Sequence, residues 1–252
     1  MACKICALAG GIGKRVQGKV RSWILQLSAL LILMNYVQLA IQSSLHLRLE
    51  AEQMAIFFGC PALIGVLYVV LDTCATLAGT GLIMWHRKEA TGFSLLILHH
   101  TLHCMFFTNS IIQQALNEFV DVGSLLLLVA LGQAKENKLN KHKLELLLLL
   151  SRICMSCIYF LWLREENNVI NDWFALSCCI LVLIGFKCRF VACLTALTVM
   201  WHACCSPNWT FIIGWNDLTI SVSLICSLLG KVAGFLLMAR LGAGKWSLDA
   251  RT

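Results

Sequence analysis

The sequence predicts an all-α polytopic membrane protein of about eight transmembrane helices, arranged as two parallel four-helix halves. Three observations lead there. Hydrophobic residues make up 59% of the 252-residue chain and charged residues only 13%, with a mean hydropathy of +0.79. A soluble domain carries about 25% charged residues. Second, basic residues gather in alternate inter-span segments. Third, one feature occurs twice: two apolar runs joined by a tight basic turn, at Gly185-Phe186-Lys187-Cys188-Arg189 and, about 100 residues earlier, at His86-Arg87-Lys88. Leu102-His103-Cys104 is echoed by Trp201-His202-Ala203, and Asn117-Glu118-Phe119 by Asn216-Asp217-Leu218.

Taken in order, residues 1–21 form a basic segment with no apolar stretch adequate for a cleaved signal, so the first span is expected to act as an uncleaved insertion signal. Near 20 apolar residues cross a bilayer, and eight such spans are drawn at about 22–42, 56–85, 92–112, 119–132, 144–163, 169–186, 190–206 and 218–241. Pro61 is tolerated in a first helical turn, so the regular part of the second span should begin there. The short fourth span extends most naturally over Ala115–Gln133. The halves are then 22–132 and 144–241, joined by a polar, basic linker at 133–143, with a tail at 242–252. Four spans in each half make the repeat parallel rather than inverted.

Orientation follows from charge. With the N-terminus in the cytosol, 16 of the 20 Lys and Arg residues fall in cytosolic segments, including the hairpin turns Arg87, Lys88, Lys187 and Arg189. The opposite loops hold only Arg48 and Arg164, together with Glu50, Glu52, Glu165, Glu166, Asp172 and Asp217. This is the positive-inside pattern, and it places both termini in the cytosol. A net charge of +7 distributed in this way points to membrane loops and not to nucleic acid. Asn208-Trp209-Thr210 is a glycosylation sequon on the luminal side, read as unmodified because it lies so close to two spans.

Ionisable residues inside spans are costly and are candidate functional positions. Asp72, Arg152 and Lys231 stand there. An Arg152–Asp72 ion pair that fixes helix packing is expected, with a polar internal cavity as the alternative, and Lys231 is expected to snorkel. Glu118 and Asp121 mark the luminal start of the fourth span and Asp217 that of the eighth, an acidic rim suited to cargo. His99, His100 and His103 share the third span, with 99 and 103 on one face. No accompanying carboxylate motif gives them a metal, so packing or hydrogen bonding is expected. The 14 cysteines lie mostly in apolar runs and read as small hydrophobes; Cys3-x-x-Cys6 lacks a partner pair, and no disulfide is required. Gly59, Gly65, Gly79, Gly81, Gly230 and Gly234 are expected at close helix contacts. With no phosphate-binding loop, nucleophile elbow or metal cluster, no enzyme activity and no cofactor are expected.

Several stretches resemble one family. Leu183-Ile184-Gly185-Phe186-Lys187-Cys188-Arg189-Phe190-Val191-Ala192 resembles the "IGFKTKLAAL" hairpin of the surfeit locus protein 4 family. Asp217-Leu218-Thr219-Ile220-Ser221-Val222 resembles its "DFFQTMSV", and Leu241-Gly242-Ala243-Gly244 with Ser247-Leu248-Asp249 its "LGPGGVSMD". Gly123 to Ala130 is similar to "GGGLLLLLAE", and Arg152 falls on a family arginine. The similarity runs over about 20–249. It implies a cargo receptor of the early secretory pathway, an integral protein of the endoplasmic reticulum and Golgi. Such a receptor binds soluble secretory proteins in the lumen and meets vesicle coat components on the cytosolic side. The alternatives are a lipid-handling or small-molecule transport protein, using a polar cavity around Arg152 and Asp72, and a non-catalytic scaffold; homo- or hetero-oligomers are compatible with each. The chain departs from the family pattern in three places. Its last residues, Leu248-Asp249-Ala250-Arg251-Thr252, lack the usual lysine-rich retrieval signal, which implies a steady state shifted toward the Golgi. Asn35, Tyr36 and Gln38 replace an acidic-plus-arginine cluster, and the eighth span is longer and contains Lys231.

Overall fold

The computed structural model describes the backbone of residues 2–85, 89–106, 111–136, 141–165, 169–205, 215–242, 244 and 247, and side chains from Trp23 onward within those ranges except at 57, 89, 104–106, 111–114, 133–136, 141, 162–165, 169–172, 202–205 and 215–221. Among these residues there are nine helices: α1 (Ala2–Leu45), α2 (Leu47–Phe58), α3 (Ala62–Met84), α4 (Glu89–Phe106), α5 (Ile111–Glu136), α6 (Lys141–Glu165), α7 (Val169–Ile184), α8 (Cys188–Cys205) and α9 (Trp215–Leu241). The protein is an all-α polytopic membrane protein. The windows Trp23–Leu45, Ala62–Met84, Ala115–Gly132, His142–Leu161 and Val222–Leu241 are long and apolar enough to cross a bilayer. Large apolar side chains such as Leu63, Leu67, Leu71, Phe190, Leu197 and Trp201 are exposed on the outside of the helix bundle, as lipid-facing positions must be.

Side-chain neighbours fix the direction of each helix. On α3 and α4, Gly79 meets Gly92 near one end and Asp72 meets His99 nearer the other. On α1 and α9, Gln42 accepts a hydrogen bond from Ser223, and Asn35 lies against Gly230. Arg189 at the start of α8 sits beside Gly242 just after α9, and Leu148 of α6 beside Gly244. These pairs sort the helix ends onto two faces, and the eight expected spans correspond to α1 and α3 to α9.

Helix α2 is an addition to that scheme. It does not belong to the second span, which begins at Ala62 as Pro61 indicated. The N–H groups of Gly59 and Cys60 bond back to the carbonyls of Ile56 and Ala55, and Gly59 takes a φ of 61°, the left-handed geometry that ends helices. Pro61, at φ −58° and ψ 142°, then starts α3. α2 returns antiparallel along the upper part of α3, where Gly65 lies directly against the Ala51 backbone. Gly59 is therefore a cap and makes no close helix contact. The span limits shift elsewhere too. Residues 111 and 112 belong to α5 and not to the third span, α1 begins at Ala2, and most of the 133–143 linker is helical.

The helices form two sets with matching contacts. α1 packs along α9 as α6 packs along α5, and α5 touches α9 at the centre. α1–α3 is matched by α6–α7, α3–α4 by α7–α8, and α4–α5 by α8–α9. Exchanging the first four membrane helices for the last four thus maps the contact scheme onto itself, the relation of a parallel repeat about an axis along the membrane normal. Small residues let the axis close: Gly123 lies against Cys154 and Met155, and Gly234 against Ser124 and Met155. The buried core contains Leu125, Met155, Phe235 and Met238 from α5, α6 and α9.

Candidate functional site

In the half of the bundle away from the N-terminal face, six helices bring polar side chains together. α4 supplies the centre. His100 and His103 stand three residues apart, so both reach the same neighbour, Glu118 of α5. Nδ1 of His103 lies 2.9 Å from Oε1, and Nδ1 of His100 contacts Oε2. A carboxylate can only accept, so each imidazole donates through Nδ1. In a neutral ring Nε2 of His100 is then an acceptor, and the Tyr36 hydroxyl of α1 donates to it at 2.6 Å. His99 turns the other way and donates to both carboxylate oxygens of Asp72 on α3, at 2.8 and 3.0 Å.

A deeper layer involves Asn117 and Asp121, on either side of Glu118 in α5. The Lys231 ammonium of α9 donates to Oδ1 of Asn117 at 2.8 Å. Asp121 is buried; Asn35 lies against its carboxyl, and the Lys231 charge acts on it. Its Oδ1 has no hydrogen-bond partner among the described residues. At the outer end stands Glu50 of α2, whose electrostatic neighbours include His103 and Asp72. Partial burial pushes its carboxyl above the usual range, against the lowering effect of a hydrogen bond from Ser43.

The site therefore holds Asp72, Glu118 and Asp121 against one lysine. Asp72 beside His99, and Glu118 beside His100 and His103, are compensated by those rings only when the rings carry a proton. Buried charge is expensive unless paired, so a cation from outside the chain would find complementary charge here. His103 is 30% exposed and Glu118 15% on the side chain, so the cluster opens toward the outer end while Asp121 is closed off.

The expected residues sort as follows. Glu118 and Asp121 come together, but inside the bundle and not on a rim. Asp217 is in the first turn of α9, and its side chain lies outside the described residues, as do those of Arg87, Lys88 and the Asn208 sequon. The Arg152–Asp72 pair does not form: Asp72 takes His99, and Arg152 lies in the other half. Arg152 is 1% exposed and its Nη1 reaches the Leu183 carbonyl at 3.5 Å, placing a cation at the C-terminal end of α7, where the helix dipole is negative. Lys231 does not snorkel; it points into the cluster. The histidines hydrogen-bond as expected, although His100, not His99, shares a carboxylate with His103. Lys187 and Arg189 are exposed at the α7–α8 turn, where Lys187 has φ 45° and lies over the Phe186 ring at 5.7 Å. The cysteines among the described residues are free thiols.

Tyr36, Asn35 and Asn117 were not expected as members. Their signal was present, since Asn35, Gln38 and Gln42 line α1 at roughly helical spacing. A second tyrosine occupies the matching place in the other half: Tyr159 of α6 bonds Thr195 of α8 at 2.5 Å, as Tyr36 of α1 bonds His100 of α4. The register offset differs between the two helices, so no single repeat length exposes this echo in the sequence.

The SURF4 family profile matches residues 3–252, essentially the whole chain. No curated protein and no solved structure matches it.

Proposed function

The chain belongs to the SURF4 family, and from that premise we propose that it is a cargo receptor of the early secretory pathway, non-enzymatic, binding soluble secretory proteins in the lumen of the endoplasmic reticulum for export to the Golgi. The face that carries α2 and the open end of the polar cluster is then luminal, and the basic hairpin turns Lys187 and Arg189 meet coat components on the cytosolic side. One observation carries this reading: an outward-opening cluster that holds Asp72, Glu118 and Asp121, in which the lysine among the described residues is Lys231, beside Asn117 and Asp121. A cationic chain segment, with a free N-terminal amine or a basic side chain, supplies the charge the cluster lacks. Complementary charge of this kind gives specificity and encounter rate. α2 has 12 residues and the sequence stretches that join the spans on this face are short, so the cargo element is a short peptide segment.

The test is crosslinking in intact cells followed by mass spectrometry of the captured proteins. Soluble secretory proteins should be recovered with the wild-type chain and lost with Glu118→Gln, Asp121→Asn and Asp217→Asn combined, at equal receptor levels. Equal recovery with the triple variant would sink the site assignment.

A further inference from the structure

The first half contains a second feature, at the opposite end of the same helices. Between α1, α3, α4 and α5 lies a cavity of about 350 Å³, within the usual range of small-molecule sites of about 300–1,000 Å³. Its walls are apolar and include Ala29, Leu33, Ile83, Phe93 and Leu128, with the Gln26 amide as a polar exception near the N-terminal face. Leu30, Met34 and Met84 line it too, and all three are about half exposed on the outer surface of the bundle.

The repeat shows why it is hollow. Ala29 stands seven residues before Tyr36, and Arg152 seven residues before Tyr159. Ile83 and Met84 end α3 as Leu183 and Ile184 end α7. The Arg152–Leu183 contact in the second half thus corresponds to Ala29 and Ile83 in the first. Where the second half is filled by a fully buried arginine, the first has a methyl group and empty space.

We propose that this cavity holds one acyl chain of an anionic glycerophospholipid from the leaflet on the N-terminal face. Its mouth opens through side chains that face the bilayer, so hydrocarbon is the medium at the opening. The headgroup end is set by charge. α1 continues past the cavity through Arg21, Lys19, Arg15 and Lys14, and no acidic residue precedes Glu50 in the chain. Basic clusters next to a membrane helix attract anionic lipid. This site is independent of the polar cluster and of any cargo.

The experiment uses the full chain in phosphatidylcholine vesicles containing phosphatidylserine with a photoactivatable acyl chain. Adducts should concentrate on Leu33, Phe93 and Leu128. They should exceed those from the matching phosphatidylcholine probe by about fivefold or more, the ratio that roughly one basic residue near an anionic surface supplies. Ala29→Trp, which refills the space, should remove those adducts and leave labelling of the lipid-facing Leu197 unchanged; Met34→Trp at the mouth provides a second blocked variant should the first misfold. Labelling of the lining residues no greater than that of Leu197 in the wild-type chain would overturn the proposal. So would preferential labelling of the lining by a sterol probe, equal labelling by the two phospholipids, or persistence of the adducts in a folded blocked variant.

Discussion

Gly79 of α3 and Gly92 of α4 meet backbone to backbone: a Cβ on Gly92 would stand 2.7 Å from the Gly79 carbonyl oxygen. This contact sets how α3 and α4 lie against each other, and with it the register that brings Asp72 to His99. Neither partner can yield as a flexible side chain would. Gly92→Val should therefore destabilise the chain by about 1–3 kcal/mol, the usual cost of overpacking. Thermal unfolding in detergent, followed by loss of monodisperse protein, measures it; an unchanged midpoint would show that the helices separate freely.

Acidification should weaken cargo binding. Imidazoles are the side chains that change charge between pH 5 and 8. The groups that face His100 and His103 are Tyr36 from α1, Glu50 from α2, Asp72 from α3, His99 on α4 itself, and Glu118 and Asp121 from α5, with Lys231 of α9 acting on Asp121. A neutral ring leaves its carboxylate for a cationic peptide. A protonated ring at either position would neutralise Glu118 from within, and the peptide would compete with it. Binding of a basic peptide measured at about pH 7 and pH 5.5 should fall at the lower pH, and His100→Gln with His103→Gln should flatten the profile. Binding that rises on acidification would reverse the sign and exclude this competition.

Lys231 is the resident cation beside Asn117 and Asp121. Replacing it by Met removes the ammonium that offsets Asp121 and raises the net negative charge of the site. Lys231→Met should strengthen capture of a basic peptide at neutral pH, while Lys231→Met combined with Asp121→Asn should return it to near the starting value. Fluorescence anisotropy on the purified chain reads both. A weaker affinity in the single variant, with the fold intact, would make Lys231 a ligand contact instead.

Arg152 is expected to act on structure and not on cargo. Its side chain is fully buried against the end of α7, and a hydrogen bond involving a charged group contributes about 1.5–3 kcal/mol. Arg152→Leu should lower thermal stability by that order and leave peptide affinity unchanged. Loss of affinity at unchanged stability would place it in the binding machinery.

Both termini should be on the cytosolic side of the membrane, since the loops divide Lys and Arg so unevenly. A tag at each end, followed by protease treatment of sealed microsomes, checks this; protection of either tag would refute the orientation.

The sequence by itself determined the class of protein, the positions of its membrane helices to within a few residues, and two of its turns. Water and hydrocarbon differ so much as solvents that twenty apolar residues declare themselves locally. Pro61 and the Gly185–Arg189 turn work in the same way, through backbone constraints of a few residues. It also named Asp72, Arg152 and Lys231 as costly positions inside spans, and Glu118 and Asp121 as acids at a span entrance. What it did not contain was which helix faces which. Inside a bilayer every helix flank is apolar, and lateral order depends on close packing at small residues such as Gly79, Gly92, Gly123 and Gly234. Only the tertiary structure therefore decided that Asp72 goes to His99 and not to Arg152, that Glu118 is shared by two histidines, and that Lys231 turns inward. The hollow beside Ala29 was hidden for a related reason: an absent side chain leaves no mark in a sequence until the matching arginine in the other half shows what the space could have held.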